Sequence, residues 1–397
     1  MTDRPDPLRP PFDAGRSRAL VSPILPSVVW VAESPDDLDR LYSEPGSGFT
    51  YAREGHPNAA ALAARLDAMD GAAGGVVTGS GMAAVTLALM ACVGSGDHVL
   101  GGDQLYGRSL RLMRSTLPAL GIATSLADPT DAAAFGRELR PETRAILIET
   151  VSNPTLRVAD LAGIAALARE RGIRLLVDAT FSTPRAIRVL DHGADVVVHS
   201  VTKLLAGHSD VTLGYAGTRD PGLLERMRDL AATFGLSPSP FDCWLAERGL
   251  LTFALRHDRA EATAARLADA LAAMPAVRRV LYPARPDHPD HNRAVGLLSG
   301  RGGNMLSFEI EGGRAAANAL TRAMAGVAFA PTLGDVATTL SHAASSSHRE
   351  VPEAQRRAIG ISEGFFRVSV GLEEPDALIG QFRAGLGAAA AVTAQSR

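Results

Sequence analysis

Two cysteines, Cys92 and Cys243, are all that the 397 residues contain, far apart and with no Cys-x-x-Cys spacing. Their scarcity excludes a disulfide scaffold and a cysteine zinc site, and suits a reducing compartment. An excess of charge of one sign is missing too. A formal net charge of -3 supplies no basic field, so no nucleic-acid partner is expected. Residues 1–11 carry proline and charge but no apolar h-region, so they do not read as a signal peptide. The longest apolar run, near residues 83–93, falls short of the roughly 20 residues of a membrane helix, so no membrane partner is expected. No internal repeat or low-complexity tract interrupts the chain. These absences together predict a cytoplasmic protein. What is plentiful is apolar surface, with 46% hydrophobic residues and a mean hydropathy of +0.07, enough for a sizeable core in one large and one smaller domain.

Residues 1–57 lack sustained periodicity and are broken by Pro23, Pro26, Gly48 and Gly55, which reads as an extended arm that lies on another surface. From residue 58 the pattern changes. A helix is expected over 59–69, with Asn58 as its N-cap and Gly71 closing it. Strands follow at 76–78, 98–100, 122–126, 145–149, 174–178 and 196–200, with helices at 82–93, 109–117, 132–139 and 161–170. Such βα alternation implies an α/β domain over 58–253, its mostly parallel sheet covered on both faces. After about residue 253 the texture shifts to a helix at 260–273, a proline-rich loop at 275–289, and short strands near 305–310 and 366–370. This predicts a smaller α+β C-terminal domain over 254–397. His288-Pro289-Asp290-His291 falls in the proline-rich loop, where it is expected at the surface, and no metal is expected there.

The chemistry gathers where strands end. Val196, Val197 and Val198 form a β-branched run, buried on both faces as a parallel strand would be, and it ends in His199-Ser200-Val201-Thr202-Lys203. Polar groups at the carboxyl end of such a strand stand where open α/β sheets bind ligands. Lys203 can carry a cofactor there as a Schiff base, with Ser200 and Thr202 on its phosphate; otherwise it is a lysine in water. Thr78-Gly79-Ser80-Gly81-Met82-Ala83-Ala84 reads as a strand-to-helix turn that admits an anion to free N–H groups. It also fits the loose dinucleotide fingerprint, with Asp103 near the usual acidic position, so an NAD(P)-dependent oxidoreductase is a rival reading. It is neither a P-loop nor a nucleophile elbow. Leu175-Leu176-Val177-Asp178 delivers a carboxylate as the other strand delivers an amine. Pyridoxal phosphate (PLP) uses both, the lysine for covalent attachment and the carboxylate to keep its ring nitrogen protonated. A strand-end aspartate otherwise caps the next turn. Asn153 before Pro154 can meet the cofactor's phenolic oxygen or shape the turn, and Tyr106 can stack on an aromatic ring or pack.

Longer stretches carry a resemblance: Tyr51-Ala52-Arg53, Ser80-Gly81-Met82-Ala83-Ala84, Tyr106-Gly107, Glu149-Thr150-x-Ser152-Asn153-Pro154, Asp178-x-Thr180-Phe181-x-Thr183-Pro184, His199-Ser200-x-Thr202-Lys203, Gly207-His208-Ser209-Asp210 and Arg367-x-Ser369-Val370-Gly371. Over about 49–374 the chain resembles the Cys/Met-metabolism (trans-sulfuration) family of PLP enzymes, which includes cystathionine γ-synthase, cystathionine lyases and methionine γ-lyase. The resemblance implies PLP fold type I (aspartate-aminotransferase-like) and β/γ-elimination or γ-replacement on a cystathionine-, homoserine-ester- or methionine-like amino acid. It implies Lys203, Tyr106 and Asp178 as catalytic groups. The cofactor would be held by Lys203, Gly81, Met82, Tyr106, Asn153, Asp178, Thr180, Ser200 and Thr202, with Tyr51 and Arg53 reaching the phosphate of a neighbouring subunit. Arg367, Thr332 and Tyr51 would bind substrate. A homotetramer, as a dimer of active dimers, follows from the same resemblance.

The chain departs from the family pattern at several points. Tyr106-Gly107-Arg108-Ser109 replaces Tyr-Gly-Gly-Thr, which places a positive charge where methionine γ-lyases carry a cysteine. Asp178-Ala179-Thr180 replaces Asp-Asn-Thr. Pro331 stands where cystathionine γ-enzymes often have a glutamate for the distal amino group, and Thr332 replaces a serine. A PLP reaction on a non-sulfur amino acid therefore stands as an alternative.

Overall fold

The computed structural model describes residues 19–44, 46–349 and 351–395, so the first part of the expected arm lies outside the described residues. Two sheets organise them. Seven strands build the first: β1 (Gly74–Thr78), β2 (His98–Gly102), β3 (Ala123–Ala127), β4 (Thr143–Glu149), β5 (Arg174–Asp178), β6 (Val196–His199) and β7 (Gly214–Thr218), in the order β1-β7-β6-β5-β4-β2-β3. The β2–β6 block is parallel throughout, and β7 runs antiparallel to both β6 and β1. The sequence reading missed β7, because Gly-Tyr-Ala-Gly-Thr has neither alternation nor a β-branched run to announce a strand.

Helices on both faces bury the sheet. Leu175 and Val177 enter one core with Val197, while Leu176, Val196 and Val198 enter the other, which is the two-sided burial that a parallel strand requires. The helix expected over 59–69 runs Pro57–Asp70, and its N-cap is His56, whose Nδ1 accepts from the Ala59 amide. Asn58 is spent elsewhere: its Oδ1 accepts from Leu25 N at 2.9 Å and its Nδ2 donates to Pro23 O at 2.9 Å, tying the arm down. The arm also contains a helix, Pro35–Ser43, with no buried residue, which is why no core-facing periodicity marked it.

The second sheet comprises β8 (Val277–Leu281), β9 (Met305–Ile310), β10 (Ala328–Phe329), β11 (Thr339–His342) and β12 (Phe365–Ser369), in the order β10-β11-β12-β9-β8. Its core gathers Leu306, Phe308, Phe366 and Val368 with the helices Phe253–Ala272, Gly313–Ala323 and Pro375–Gln395. The last helix is long and apolar enough to cross a membrane by length and composition, more so than the 83–93 run; here Leu378, Phe382, Leu386 and Ala389 bury one side of it against this core.

Two sequence expectations fail in the proline-rich loop. It contains β8, and His288 and Asp290 are buried rather than exposed. Asp290 accepts from Arg157 Nε at 2.6 Å, Arg157 Nη2 at 3.0 Å and Val158 N at 3.0 Å, so an ion pair with a distant arginine folds the loop inward.

Candidate active site

Lys203, Asp178 and Asn153 leave the first sheet at the carboxyl ends of β6, β5 and β4, while Arg367 comes from β12 of the second. All four line one cleft of about 790 Å³, together with Gly81, Met82, Tyr106, Thr180, Ser200, Thr202 and Thr332. The two sheets are stitched together beside it: Arg367 Nη1 donates to Asn153 Oδ1 at 2.7 Å, and Ser307 Oγ to Pro154 O at 2.7 Å.

Lys203 is the only lysine in the chain. Its Nζ reaches Thr332 Oγ1 at 3.4 Å, and burial, followed by the positive charge of Arg367, holds the amine below the ordinary lysine range. Its backbone is fixed from two sides. Arg256 is buried and donates from Nη1 to Leu204 O (3.0 Å) and from Nη2 to Leu205 O (3.0 Å) and Gly249 O (2.9 Å), bracing the turn that follows the lysine. Gly334, at φ +84°, lies so close that a Cβ would come within 2.5 Å of Leu204 N. Sequence reasoning missed Arg256, which sits in a plain helix, Phe253–Ala272, without any strand-end signal.

Asp178 Oδ1 accepts from Thr180 N at 2.9 Å, and Thr180 Oγ1 in turn accepts from Ser200 N at 2.9 Å. Burial pushes the Asp178 carboxyl up, while the Thr180 hydrogen bonds and the nearby His199 pull it back. Glu149, one strand over, is pushed well above the usual carboxylate range by burial and then by Asp178; its Oε1 accepts from Tyr106 N at 2.5 Å, anchoring the tyrosine at the mouth of the cleft. The sequence shows Glu149 within a motif but gives it no role.

Residues fit PLP on their own chemistry. Ser80 Oγ caps the helix Gly81–Cys92 at Ala83 N, which leaves the Gly81 and Met82 amides without helical acceptors and pointed at an anion. A Cβ at Gly81 would meet Ser200 Cβ at 2.7 Å, so only glycine lets this turn close over Ser200. Ser200 carries a free hydroxyl, whereas Thr202 Oγ1 already donates to Leu213 O and accepts from Leu213 N. A phosphate, a ring cation for Asp178 and an aldehyde for Lys203 match these groups. Among the described residues Arg367 Nε is buried without a partner, while Nη2 donates to Thr332 O at 3.0 Å.

Three residues singled out from the sequence lie outside this chain's own cleft. Tyr51 and Arg53 are exposed outside the cleft, the guanidinium 5.2 Å over the ring. Asp103, the acid of the dinucleotide reading, does not line the cleft either: it follows β2, which four strands separate from β1, and among the described residues β1 pairs only with antiparallel β7. The NAD(P) alternative therefore fails, because its fingerprint requires those two strands to be parallel partners.

Comparison with known proteins agrees. Cystathionine beta-lyase MetC of Bacillus subtilis (strain 168) is 38% identical over 343 residues, covering 86% of this chain and 87% of its own length. Cystathionine gamma-lyase of the same organism is 37% identical over 333 residues, covering 84% and 87%. Crystalline cystathionine gamma synthase from Xanthomonas oryzae pv. oryzae, solved in complex with cystathionine, superposes with a TM-score of 0.89 at 35% identity over 94% of both chains. The fold is thus PLP fold type I. With residues 12–387 matching the profile of the Cys/Met metabolism PLP-dependent enzymes, the chain belongs to that family and takes pyridoxal phosphate as its cofactor.

Proposed function

We propose that the protein catalyses β/γ-elimination or γ-replacement on an amino acid related to cystathionine, methionine or a homoserine ester. The observation that carries this reading is the meeting of one free amine, Lys203, one buried carboxylate, Asp178, and one half-satisfied buried guanidinium, Arg367, in a single cleft. Bound PLP supplies an electron sink for the substrate's Cα. Arg367 binds the α-carboxylate through Nε and its outer nitrogens, a fork geometry that fixes orientation. Lys203 Nζ, held below its ordinary basicity range, is a free base more readily than a solvated lysine; it takes the Cα proton and delivers a proton further along the chain. Asp178 holds the ring-nitrogen proton, with Thr180 orienting it. Asn153 keeps its Nδ2 donor for the ring oxygen, since Arg367 occupies its Oδ1. Gly81, Met82 and Ser200 receive the phosphate, with Thr202 turning its hydroxyl from Leu213. Tyr106 covers the ring at the cleft mouth.

The carboxyl-end cleft belongs to a cofactor unit over 58–253 with a C-terminal unit over 254–397, and the 1–57 arm serves a second copy. Supporting the arm's role, Leu20 and Val31 are 101% and 96% exposed in the single chain, a hydrophobic cost that a partner surface removes. We assign an active dimer in which Tyr51 and Arg53 reach the neighbouring phosphate, paired again as a tetramer, in the cytoplasm. Burial pushes the unpaired Cys92 and Cys243 thiols up to about 12, which leaves both unreactive.

Two experiments test these statements. Cystathionine, methionine, cysteine and O-acylhomoserines, with and without an added thiol, are scored for 2-oxo acid against new thioether; a normal cofactor spectrum with no turnover of any of them sinks the reading. For the arm, Lys203→Ala and Tyr51→Ala/Arg53→Ala chains are dissociated and mixed. Roughly a quarter of wild-type activity returns, since half the dimers are mixed and each holds one intact site of two. No recovery above the separate variants removes the shared site.

A further inference from the structure

Asn153 stands at the tip of a short hairpin, residues 151–158, that leaves β4 and turns back on itself. Its limbs pair through the Val151–Val158 bridge, with Ser152 N donating to Arg157 O at 2.9 Å and Arg157 N to Ser152 Oγ at 2.9 Å. The tip is strained: Leu156 is buried at φ +56°, a left-handed conformation that a residue with a Cβ resists. Such a residue persists only where its surroundings hold it.

The hairpin is held from outside as well. Gln104, two residues before Tyr106, accepts from Thr155 Oγ1 at 3.0 Å, and Ser307 of β9 donates to Pro154 O. A further hold is ionic. Asp290 accepts from Arg157 Nε, Arg157 Nη2 and Val158 N, so one carboxylate grips the returning limb by side chain and backbone together. Arg293, in the helix that follows Asp290, donates to Val158 O at 2.9 Å. Burial pushes the Asp290 carboxyl up, but the Arg157 and Val158 hydrogen bonds and the Arg157 charge outweigh it, so the grip stays ionic at neutral pH. Asn153 meanwhile serves two partners with one flat amide: Oδ1 accepts from Arg367 Nη1, and Nδ2 is left for the cofactor's ring oxygen. Hydrogen bonds are directional, so a tip that shifts or rotates loses one contact or the other.

We infer that Arg157 and Asp290 are positioning residues for the reaction: their ion pair, made across the two units, fixes the hairpin so that Asn153 meets Arg367 and the cofactor's ring oxygen at once. This rests on the role proposed for Asn153 and places its control in the C-terminal unit. Neither member of the pair lines the cleft.

The test reads the spectrum of the bound cofactor, which needs no substrate. A donor on the ring oxygen eases its negative charge; without that donor, the oxygen holds the proton it shares with the Lys203 nitrogen to higher pH. The pH midpoint of the visible band therefore rises by about one unit in Asn153→Ala, a tenfold change in proton affinity, and by about half a unit or more in Asp290→Asn. Arg157→Lys keeps the charge but loses the two-point grip, and moves the midpoint the same way. In the cofactor-free chain, amide exchange over 151–158 quickens by about tenfold in Asp290→Asn and Arg157→Lys. The control is Arg279→Met, which breaks a comparably buried ion pair with Glu309 in the C-terminal unit and leaves the midpoint in place. Should Asp290→Asn fail to fold, Arg157→Lys decides. A midpoint that moves equally in Arg279→Met overturns the inference. So does one that moves in Asn153→Ala but in neither Asp290→Asn nor Arg157→Lys, and both results leave the proposed function standing. An unmoved midpoint in Asn153→Ala removes the role of Asn153 and this inference with it.

Discussion

Replacing Lys203 with alanine lowers turnover by at least about 10³-fold, because the same amine both attaches the cofactor and moves protons. No second lysine exists to substitute for it. The variant also loses the visible band of covalently attached cofactor while still retaining free cofactor through the Gly81 turn and Asp178. A small primary amine added to the variant restores part of the activity, because the 790 Å³ cleft admits it to the space the side chain leaves. The acid limb of the wild-type kcat profile, which reports the complex in which substrate has freed the amine from the cofactor, lies below the ordinary lysine range, in the direction that burial and Arg367 dictate. Turnover within tenfold of wild type in Lys203→Ala, without added amine, rejects the assignment.

Asp70→Ala destabilises the fold by about 3–5 kcal/mol, the cost of breaking a buried ion pair from one side. Asp70 and His199 are each 1% exposed at the side chain, with His199 Nε2 at 3.0 and 3.1 Å from the two carboxylate oxygens. Tyr215 stacks on the imidazole at 6.2 Å and donates from its hydroxyl to Asp67 at 2.7 Å. Burial pushes the imidazole down, but the charge and hydrogen bond of Asp70, helped by Asp178, leave it raised above its ordinary value. A raised folded-state pKa gives stability that is fully present below the unfolded value of about 6.5 and is lost as pH rises through the folded value. Denaturant unfolding of the wild type therefore shows this contribution declining as pH rises above the unfolded value of about 6.5, and Asp70→Ala lacks that decline. Because His199 begins the turn that carries Ser200 and Lys203, the variant also releases cofactor more readily. Wild-type stability in both Asp70→Ala and Asp70→Asn contradicts the pair's importance.

The cofactor end of the site was legible because strands deposit their last residues at one edge of a parallel sheet. Lys203, Asp178 and Asn153 could each be read as strand-end polar groups, and β4, β5 and β6 bring them together. What resisted reading arrives by long-range packing. Arg256 supports the lysine turn from a helix, and Asp70 meets His199 across 129 residues of sequence. His288 and Asp290 resemble a surface loop until Arg157, 133 residues away from Asp290, pulls them inward. Asn58 looks like a cap, yet His56 is at the right distance and Asn58 is claimed by the arm.

With every basic side chain except Lys203 and the histidines being a guanidinium, the outer surface offers no ε-amine. Acylating and reductively alkylating reagents therefore find, apart from the terminal amine, a single target at the bottom of the cleft. Mass gained at Lys203 becomes a direct gauge of how open that cleft is, and protection from labelling counts the fraction of chains with the cofactor attached. The molecule carries its own occupancy reporter without any engineered tag.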